Sequence, residues 1–357
     1  MKQQIEKPHV IAFEVTRKCR FKCRHCRANA GAAGDDGELT TVQCKRILES
    51  ITKFSRDKAP TDTVGADSKP VIILTGGEPM ERDDIYELSR YGRELDSRMV
   101  MATCGYLIDD DSIAKLKEAG ISALAFSLDG ASAETHDAFR QTAGAFDSTL
   151  RAAQITKRAG IPFQINTTIS KINADEVLAI GNLAKDLGAY CFNPFILVPT
   201  GRGKDLADSI IDPIEYERLL NDLLGMKLKS EIRVRVTCGP QFARLCRQKK
   251  VEQLTESPNG CIGGRAFAFI SCRGDVQTCG FLDISAGNLI ENDFDFRAIW
   301  QMSEFLREIR NTSEYKGDCG ICEYSGLCGG CRARAYAISG DYLVADPVCG
   351  YQPGGDK

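Results

Sequence analysis

The sequence lacks any apolar run of the roughly 18 residues needed to span a bilayer. Its opening stretch, MKQQIEKPHV, lacks the apolar region of a secretory signal peptide. It also lacks a surplus of basic residues, because 46 Lys and Arg stand against 49 Asp and Glu and give a net charge of −3. These absences predict a cytoplasmic protein that binds neither membranes nor nucleic acid through a general basic surface.

Histidine is scarce, at three residues, whereas cysteine is abundant, at 16. In a chain of 357 residues without a signal peptide, that number is below the density of a disulfide-stabilised scaffold. Ligation of a metal or an iron–sulfur cluster is therefore the leading interpretation for the cysteines that show ligand spacing. The cysteines without such spacing are predicted to be buried thiols, and they are Cys44, Cys104, Cys191, Cys238 and Cys246.

Six short apolar runs rich in β-branched residues alternate with amphipathic segments of helix length. These strand–helix units predict an α/β fold with a parallel sheet, in the partial (β/α)6 form of a TIM-like barrel. In such a barrel the functional residues follow the carboxyl ends of the strands. The predicted strands are residues 9–16, 71–77, 98–105, 123–130, 162–169 and 190–197, and the helices between them include residues 41–54, 83–96, 110–120 and 174–188.

The strand–helix repeat ends near residue 205. We therefore predict three regions, namely the barrel over residues 1–205, a helical linking segment over 206–260 and a cysteine-rich domain over 261–357. Within the barrel, the polar stretch at 55–70 is predicted to be a surface loop.

The stretch TRKCRFKCRHCRANA, residues 16–30, follows the first predicted strand and contains Cys19, Cys23 and Cys26. The Cys-x3-Cys-x2-Cys spacing supplies three thiolates without an obvious fourth ligand. On a four-iron cluster this would leave one iron open to a small molecule. A zinc site completed by His25 is the alternative, but His25 is adjacent to Cys26, and structural zinc sites use spaced ligand pairs.

The second predicted strand ends in the turn Gly76-Gly77-Glu78-Pro79. Together with the preceding cysteine triplet, this turn resembles the radical S-adenosylmethionine (SAM) superfamily. The resemblance implies that the three cysteines hold a 4Fe-4S cluster whose open iron binds SAM. It also implies that the turn contacts the methionyl amino group, for which glycines allow close approach and a carboxylate suits an ammonium.

The same resemblance implies further SAM contacts near the ends of the fourth and fifth strands. Ser127 and Asp129 would lie near the ribose, Asn166 and Thr168 along the wall of the SAM site, and Arg140 near the methionyl carboxylate. The alternatives are that Asp129 caps a helix and that Arg140 is a solvated helix residue.

The cysteine-rich tail resembles the SPASM domain, the auxiliary-cluster extension of many radical SAM enzymes. Its ordered cysteines are Cys261, Cys279 (in Gly274-x4-Cys279), Cys319, Cys322, Cys328, Cys331 and Cys349. The resemblance implies one or two auxiliary 4Fe-4S clusters. One would be held by Cys319, Cys322, Cys328 and Cys349, and the other by Cys261, Cys279 and Cys331, with an open iron or with Cys272 as the extra ligand. Two residues separate Cys328 from Cys331 where the domain usually has three, and a zinc ribbon is the alternative.

Over nearly its whole length the chain also resembles the haem b synthase subgroup of the alternative, sirohaem-dependent haem pathway, together with haem d1-pathway relatives. The stretches that carry this resemblance are FEVTRKCRFKCRHCRANA, SLDGASAETHDAFR, PFQINTTISK, LVPTGRGKDLAD and CGGCRARAYAISGDYLVADPVCGYQP. It implies oxidative decarboxylation of two propionates of Fe-coproporphyrin III to the vinyls of haem b. An auxiliary cluster would take the remaining electron, and flavodoxin or ferredoxin would be the electron donor. Cys104, where asparagine is usual, and Cys272 depart from the pattern.

Basic residues near the predicted barrel mouth are candidates for binding the substrate carboxylates, because guanidinium groups bind carboxylates bidentately. The candidates are Arg17, Arg24, Arg27, Arg202 and Lys204. The alternative, expected for at least half of the basic residues here, is that they neutralise the anionic cluster or face solvent. Two other interpretations stay open at this point, namely a radical SAM/SPASM peptide maturase and a non-catalytic metal-binding scaffold.

Overall fold

The structure is a computed structural model that describes residues 7–56, 69–251 and 260–354. All six predicted strands form in these ranges. Most of the predicted surface loop at 55–70 lies outside the described residues, as do residues 252–259 of the predicted linking segment. None of the helices described is long and apolar enough to cross a membrane.

Strands and helices alternate through the first two thirds of the chain. The strands are β1 (Val10–Thr16), β2 (Val71–Gly76), β3 (Arg98–Thr103), β4 (Ala123–Ser127), β5 (Phe163–Ile169), β6 (Cys191–Ile196), β7 (Arg233–Val234), β8 (Phe267–Ile270), β9 (Asp275–Gln277) and β10 (Gly287–Asn288). The helices are α1 (Thr41–Arg56), α2 (Ile85–Glu94), α3 (Asp110–Glu118), α4 (Ala133–Arg140), α5 (Ala145–Arg158), α6 (Val177–Leu187), α7 (Pro213–Lys229), α8 (Gln241–Gln248), α9 (Phe296–Met302), α10 (Glu304–Arg310), α11 (Asp318–Ile321) and α12 (Arg332–Ser339).

Local sequence signals account for several helix ends. Asp109 caps α3, because its side chain accepts from the Ser112 N–H at 2.7 Å while the Ser112 hydroxyl accepts from the Asp109 N–H at 2.9 Å. Gly188 ends α6 in the left-handed conformation with φ 90°, which favours glycine.

The described strands form one sheet in the order β10-β9-β8-β1-β2-β3-β4-β5-β6-β7. The pairs from β1 through β7 are parallel, as the strand–helix repeat predicts. On the other side of β1, β8 pairs with it in parallel, with Val10 opposite Phe267. Main-chain hydrogen bonds therefore join the cysteine-rich tail to the barrel sheet.

The two faces of the sheet differ in burial. On β2, Ile72 and Leu74 are fully buried in the main hydrophobic core, which includes residues of the surrounding helices. The alternate positions on β2 and β5, such as Thr75 and Asn166, are only half-buried. Because successive strand residues point to opposite faces, the second face is lined by accessible side chains. The carboxyl ends of the parallel strands meet at one edge of this face.

Candidate active site

The loop after β1, residues 17–31, carries the first cysteine triplet and is called the cluster loop below. The Cys19 and Cys23 side chains are almost completely buried, with 5% and 7% of their surface exposed, and Cys26 is half-buried. Two main-chain hydrogen bonds close the loop, from the Cys19 N–H to the Gly31 carbonyl at 2.9 Å and from the Gly31 N–H to the Arg17 carbonyl at 3.1 Å. The structure thus collects the three predicted thiols on one ordered loop.

The Gly76-Gly77 pair packs directly against the base of the cluster loop. The Gly77 N–H donates to the Thr16 carbonyl at 2.8 Å. A Cβ on Gly76 would lie 2.1 Å from the Thr16 oxygen, and a Cβ on Gly77 would lie 2.5 Å from the Lys18 oxygen. Any other residue at either position would push the turn and the loop apart.

Glu78 is completely buried behind this turn. Its carboxylate accepts from the Cys104 N–H at 2.7 Å, the Met80 N–H at 3.1 Å and the Thr103 hydroxyl at 2.8 Å. Burial raises the pKa of Glu78 to about 7, although these hydrogen bonds favour the ionised form. Pro79 follows as the first residue of a 3-10 turn, Pro79–Glu81, where its fixed φ is favourable.

Asp129 and Arg140 form a buried ion pair next to the cluster loop. Arg140 Nε and Nη2 both lie 2.7 Å from Asp129 Oδ2. Arg140 Nη1 lies 3.7 Å from the Cys23 sulfur and 3.9 Å from the Cys104 sulfur. Burial opposes ionisation of Asp129, but the Arg140 charge, together with smaller contributions from His25, His136 and the Thr168 N–H, outweighs burial and holds the pKa of the carboxyl below its usual value. Arg140 is therefore not a solvated helix residue.

The other residues predicted to contact SAM lie on the accessible face of the sheet. Ser127 at the end of β4 is in register with Asn166 on β5, and both are half-buried. The side-chain oxygen of Asn166, Oδ1, accepts from Gln164 Nε2 at 2.8 Å. The Thr168 N–H donates to Asp129 Oδ1 at 2.7 Å, so this backbone group is already paired. The structure thus arranges these positions along one row beside the cluster loop.

His25 was considered only as a zinc ligand in the sequence, but it lies within this site. Its ring stacks on Phe139, with centroids 4.4 Å apart, and its Nε2 lies 3.5 Å from Asp129 Oδ2. Its Nδ1 is buried without a hydrogen-bond partner among the described residues. Burial lowers the pKa of His25 to about 4, so the ring is neutral near pH 7. Its position directly before Cys26 is the sequence signal that locates it here.

Two of the five basic residues predicted to bind substrate, Arg17 and Arg27, are paired with Glu14. Glu14 on β1 is fully buried, and its carboxylate contacts Arg17 at 3.3 Å and Arg27 at 3.1 Å. The Arg27 guanidinium also covers the Phe269 ring, 4.5 Å from its centroid. Glu14 is a residue that the sequence interpretation missed, because a single acidic residue within an apolar strand gives no pattern.

Arg202 also makes contacts within the protein. Its Nε donates to the Cys23 carbonyl at 2.9 Å, and its Nη1 donates to the Ala30 carbonyl at 2.7 Å. The preceding Gly201 has φ 58°, and a Cβ there would lie 2.4 Å from the Cys26 oxygen. The segment after β6 therefore packs against the cluster loop and is hydrogen-bonded to it. Among the predicted substrate residues, the exposed side chains are those of Arg24 and Lys204.

Four cysteines of the tail form one group, called the distal group below: Cys319, Cys322, Cys328 and Cys349. Burial raises the pKa of Cys328 to about 12 and that of Cys349 to about 11, and the nearby Cys319 adds to both increases. Burial also raises the pKa of Cys322, and the nearby Cys319 thiol adds to this increase. Arg332 Nη2 lies 3.4 Å from the Cys319 sulfur.

The remaining SPASM-type cysteines, Cys261, Cys279 and Cys331, form a second group, called the proximal group below. Burial raises the pKa of Cys279 to about 12, with further increases from the neighbouring Cys261 and Cys331. Cys272 does not lie in this group. It is fully buried at the end of β8, and its N–H donates to Glu14 Oε2 at 3.3 Å.

The donor chemistry of these groups fits iron–sulfur clusters. All three contain several thiols, and basic side chains approach two of them, Arg140 at Cys23 and Arg332 at Cys319. Thiolates are the ligands that such clusters require, and nearby cations offset cluster charge. Among the described residues, no group of His, Cys, Asp and Glu side chains is arranged to hold a single metal ion.

Two family models match the chain in the regions of these groups. The Radical SAM superfamily model matches residues 13–184, which include the cluster loop, the Gly76-Gly77 turn and the Asp129–Arg140 pair. The chain belongs to the radical SAM superfamily. The SPASM model, described as an iron-sulfur cluster-binding domain, matches residues 261–331. This radical SAM enzyme therefore uses SAM and 4Fe-4S clusters, as the sequence predicts.

Several relatives of this radical SAM enzyme have names of their own. It is 43% identical to an "AdoMet-dependent heme synthase" of Methanosarcina barkeri, over 97% of this chain and 97% of that protein. It is 31% identical to an "Fe-coproporphyrin III synthase" of the same organism, over 96% of this chain and 88% of the relative. It is also 31% identical to a mycofactocin maturase of Mycolicibacterium smegmatis, over 97% of this chain and 83% of the relative.

A solved structure has the same fold. The crystal structure of Streptococcus suis SuiB bound to S-adenosylmethionine aligns with a TM-score of 0.72 at 16% identity. The alignment covers 97% of this chain and 78% of SuiB. The partial barrel with a SPASM extension, predicted from the sequence, is therefore confirmed as the fold class.

Proposed function

We propose that this radical SAM enzyme converts Fe-coproporphyrin III into haem b by oxidative decarboxylation of two propionates. The observation that carries the proposal is the 43% identity to the AdoMet-dependent heme synthase over 97% of both chains. The Fe-coproporphyrin III synthase and the mycofactocin maturase are each 31% identical. A haem synthase is thus favoured over another porphyrin enzyme of this superfamily and over a peptide maturase.

Each of the two steps removes carbon dioxide and two hydrogen equivalents from one propionate. The propionate first loses a hydrogen atom from the carbon attached to the porphyrin ring. Cleavage of the bond to the carboxylate then forms the vinyl double bond and releases carbon dioxide and one electron. When bound, SAM with its cluster would supply the radical that takes the hydrogen atom, and an auxiliary cluster would accept the electron. An electron donor such as flavodoxin or ferredoxin would start the reaction.

Arg24 and Lys204 are the best candidates in this chain for binding the substrate carboxylates. Both side chains are exposed, on the cluster loop and on the adjoining segment after β6. Arg17, Arg27 and Arg202 are directed to protein acceptors instead. For SAM, the ionised Glu78 carboxylate suits the methionyl ammonium, because it is fixed by three neighbouring donors.

The accessible face of the sheet offers an apolar platform next to the proximal group. Phe195 on β6 is half-buried on that face, and its ring centroid lies 6.4 Å from that of Phe281. Phe281 follows Cys279 by two residues. A flat porphyrin that packs on these rings would lie beside the auxiliary cysteines, where its electron has a short path to an acceptor.

Anaerobic incubation of the reconstituted enzyme with Fe-coproporphyrin III, SAM and a reductant tests this proposal. Mass spectrometry should detect two successive losses of carbon dioxide plus two hydrogens, with a monovinyl intermediate at early times. If SAM is cleaved but the porphyrin mass does not change, the assignment is wrong and the peptide-maturase function takes its place. If a haem d1-pathway porphyrin changes mass and Fe-coproporphyrin III does not, the enzyme is assigned to the haem d1 pathway.

A further inference from the structure

Cys238 lies in the proximal group, although no spacing in the sequence connects it with the other members. Its thiol lies close to the Cys331 thiol. Cys238 and Cys279 both pack against the small buried apolar cluster that contains Cys331. Cys261 is close enough to Cys331 for the two sulfurs to interact electrostatically. Four thiols therefore meet at this point, where the SPASM motif supplies three.

The backbone of Cys238 is held in an unusual conformation. Its φ is 55°, in the left-handed region that few non-glycine residues adopt. The adjacent Thr237 is anchored to β6, because its N–H donates to the Pro194 carbonyl at 2.8 Å and its carbonyl accepts from the Ile196 N–H at 3.0 Å. Such conformations cost energy and persist where the surrounding structure fixes them, often at ligand sites.

One buried ion pair fixes Cys238 and Cys331 together. Arg334 Nη1 donates to the Cys238 carbonyl at 3.0 Å, and Arg334 Nη2 lies 2.8 Å from Asp346 Oδ2. The same Asp346 oxygen accepts from the Cys331 N–H at 2.8 Å. Arg334 and Asp346 are both completely inaccessible to solvent. The two cysteines are thus positioned by the same pair of side chains, which is the arrangement expected of two ligands of one centre.

Cys272 has a different environment. Its thiol lies near Glu14, Arg17, Asp35 and Glu38, and its carbonyl accepts from the Leu39 N–H at 2.8 Å. Because β8 runs parallel to β1, the end of β8 brings Cys272 to the base of the cluster loop rather than to the proximal group.

We infer that Cys238 is the fourth protein ligand of the auxiliary cluster held by Cys261, Cys279 and Cys331. With four thiolates every iron of a four-iron cluster has a protein ligand, so this cluster exchanges electrons without bonding to substrate. The inference depends on the SPASM assignment and not on the identity of the substrate. It can therefore be tested separately from the proposed haem chemistry.

The test uses the full chain with Cys19, Cys23 and Cys26 replaced by Ala, so that only auxiliary clusters are reconstituted. Cys238→Ala and Cys272→Ala are compared in this background as a matched pair. The readouts are iron and sulfide content, the electron paramagnetic resonance spectrum after reduction, and hyperfine coupling to added 13C-cyanide, which binds an iron without a protein ligand.

Cys238→Ala should change one of the two auxiliary spectra and introduce a 13C coupling, or remove that cluster alone, while the distal cluster keeps its signal. Cys272→Ala should leave all three readouts unchanged. An unchanged Cys238→Ala protein, or changes that follow Cys272→Ala instead, would overturn the inference. If Cys238→Ala does not fold, Cys238→Ser is used, because serine has nearly the same size. An oxygen ligand in place of sulfur should shift the spectrum of the proximal cluster. An unchanged spectrum of the Cys238→Ser protein would also overturn the inference.

Discussion

Arg140 places two nitrogens 2.7 Å from a single oxygen of Asp129, and both side chains are buried beside the Cys23 sulfur. The pair connects the end of β4 with the cluster loop. Removal of one member would leave the other as an uncompensated buried charge, which is far more costly than the loss of a surface ion pair. The pair therefore stabilises the site as well as shaping it.

Replacement of Asp129 by Asn should lower the free energy of unfolding by about 3–5 kcal/mol, since the Arg140 charge would remain buried without its counter-ion. Asp110→Asn is the control, because Asp110 contacts Arg158 at 3.5 Å with both side chains mostly exposed. The control should change stability by less than about 1 kcal/mol. Anaerobic denaturant unfolding of the two variants measures both effects, and equal losses would show that the buried pair has no special role.

Replacement of Cys19, Cys23 and Cys26 by Ala should abolish reductive cleavage of SAM while auxiliary iron stays bound, because the proximal and distal groups use other cysteines. Iron content and formation of 5′-deoxyadenosine are the measurements. Undiminished cleavage in the triple variant would contradict the assignment of the first cluster to this loop.

Arg202 and Arg24 should behave differently, although both are basic residues near the first cysteines. Arg202→Ala removes donors to the Cys23 and Ala30 carbonyls, so it should reduce the iron held by the cluster loop. Arg24→Glu alters an exposed side chain, so it should weaken binding of Fe-coproporphyrin III and leave SAM cleavage without substrate nearly intact. Iron analysis, substrate titration and uncoupled SAM cleavage distinguish the two, and identical behaviour would argue against separate roles.

The affinity for SAM should depend on pH through Glu78, whose pKa is raised to about 7 by burial. In the proposed SAM site the ionised carboxylate would attract the methionyl ammonium, so binding should be stronger above this pKa and weaken as the pH falls through it. Between pH 8 and pH 6 the ionised fraction decreases about tenfold, and the dissociation constant should rise to a similar extent. Glu78→Gln should bind SAM more weakly with a smaller pH dependence. An equal dependence in both proteins would assign the effect to another group.

The sequence predicted the parts of this molecule that depend on local pattern. The six parallel strands follow from apolar runs between amphipathic helices, and the first cysteine triplet follows from its spacing. The division of the tail cysteines into two sets rested on the resemblance to the SPASM domain. The pairing of β8 with β1 could not be predicted, because the two strands are separated by most of the chain and nothing in four residues specifies a partner.

Contacts between side chains that are far apart in the sequence could not be predicted either. Arg27 and Arg202 were predicted to bind substrate because they are basic and near the cysteines. The sequence did not show that Glu14 and two loop carbonyls accept hydrogen bonds from them. Cys238 was predicted to be an ordinary buried thiol, because its group is assembled only in the fold, from the segments after β7, before β8, after β9 and before α12. Such contacts depend on tertiary packing rather than on local pattern.

The most direct test of the proposed reaction follows the hydrogen atom. Fe-coproporphyrin III deuterated at the propionate carbons attached to the ring would be incubated anaerobically with the enzyme, SAM and reductant. Mass spectrometry would then compare 5′-deoxyadenosine with the porphyrin products. The account predicts one deuterium in 5′-deoxyadenosine for each carbon dioxide released and each vinyl formed. Formation of 5′-deoxyadenosine without deuterium, while vinyl groups appear or the porphyrin stays unchanged, would contradict it.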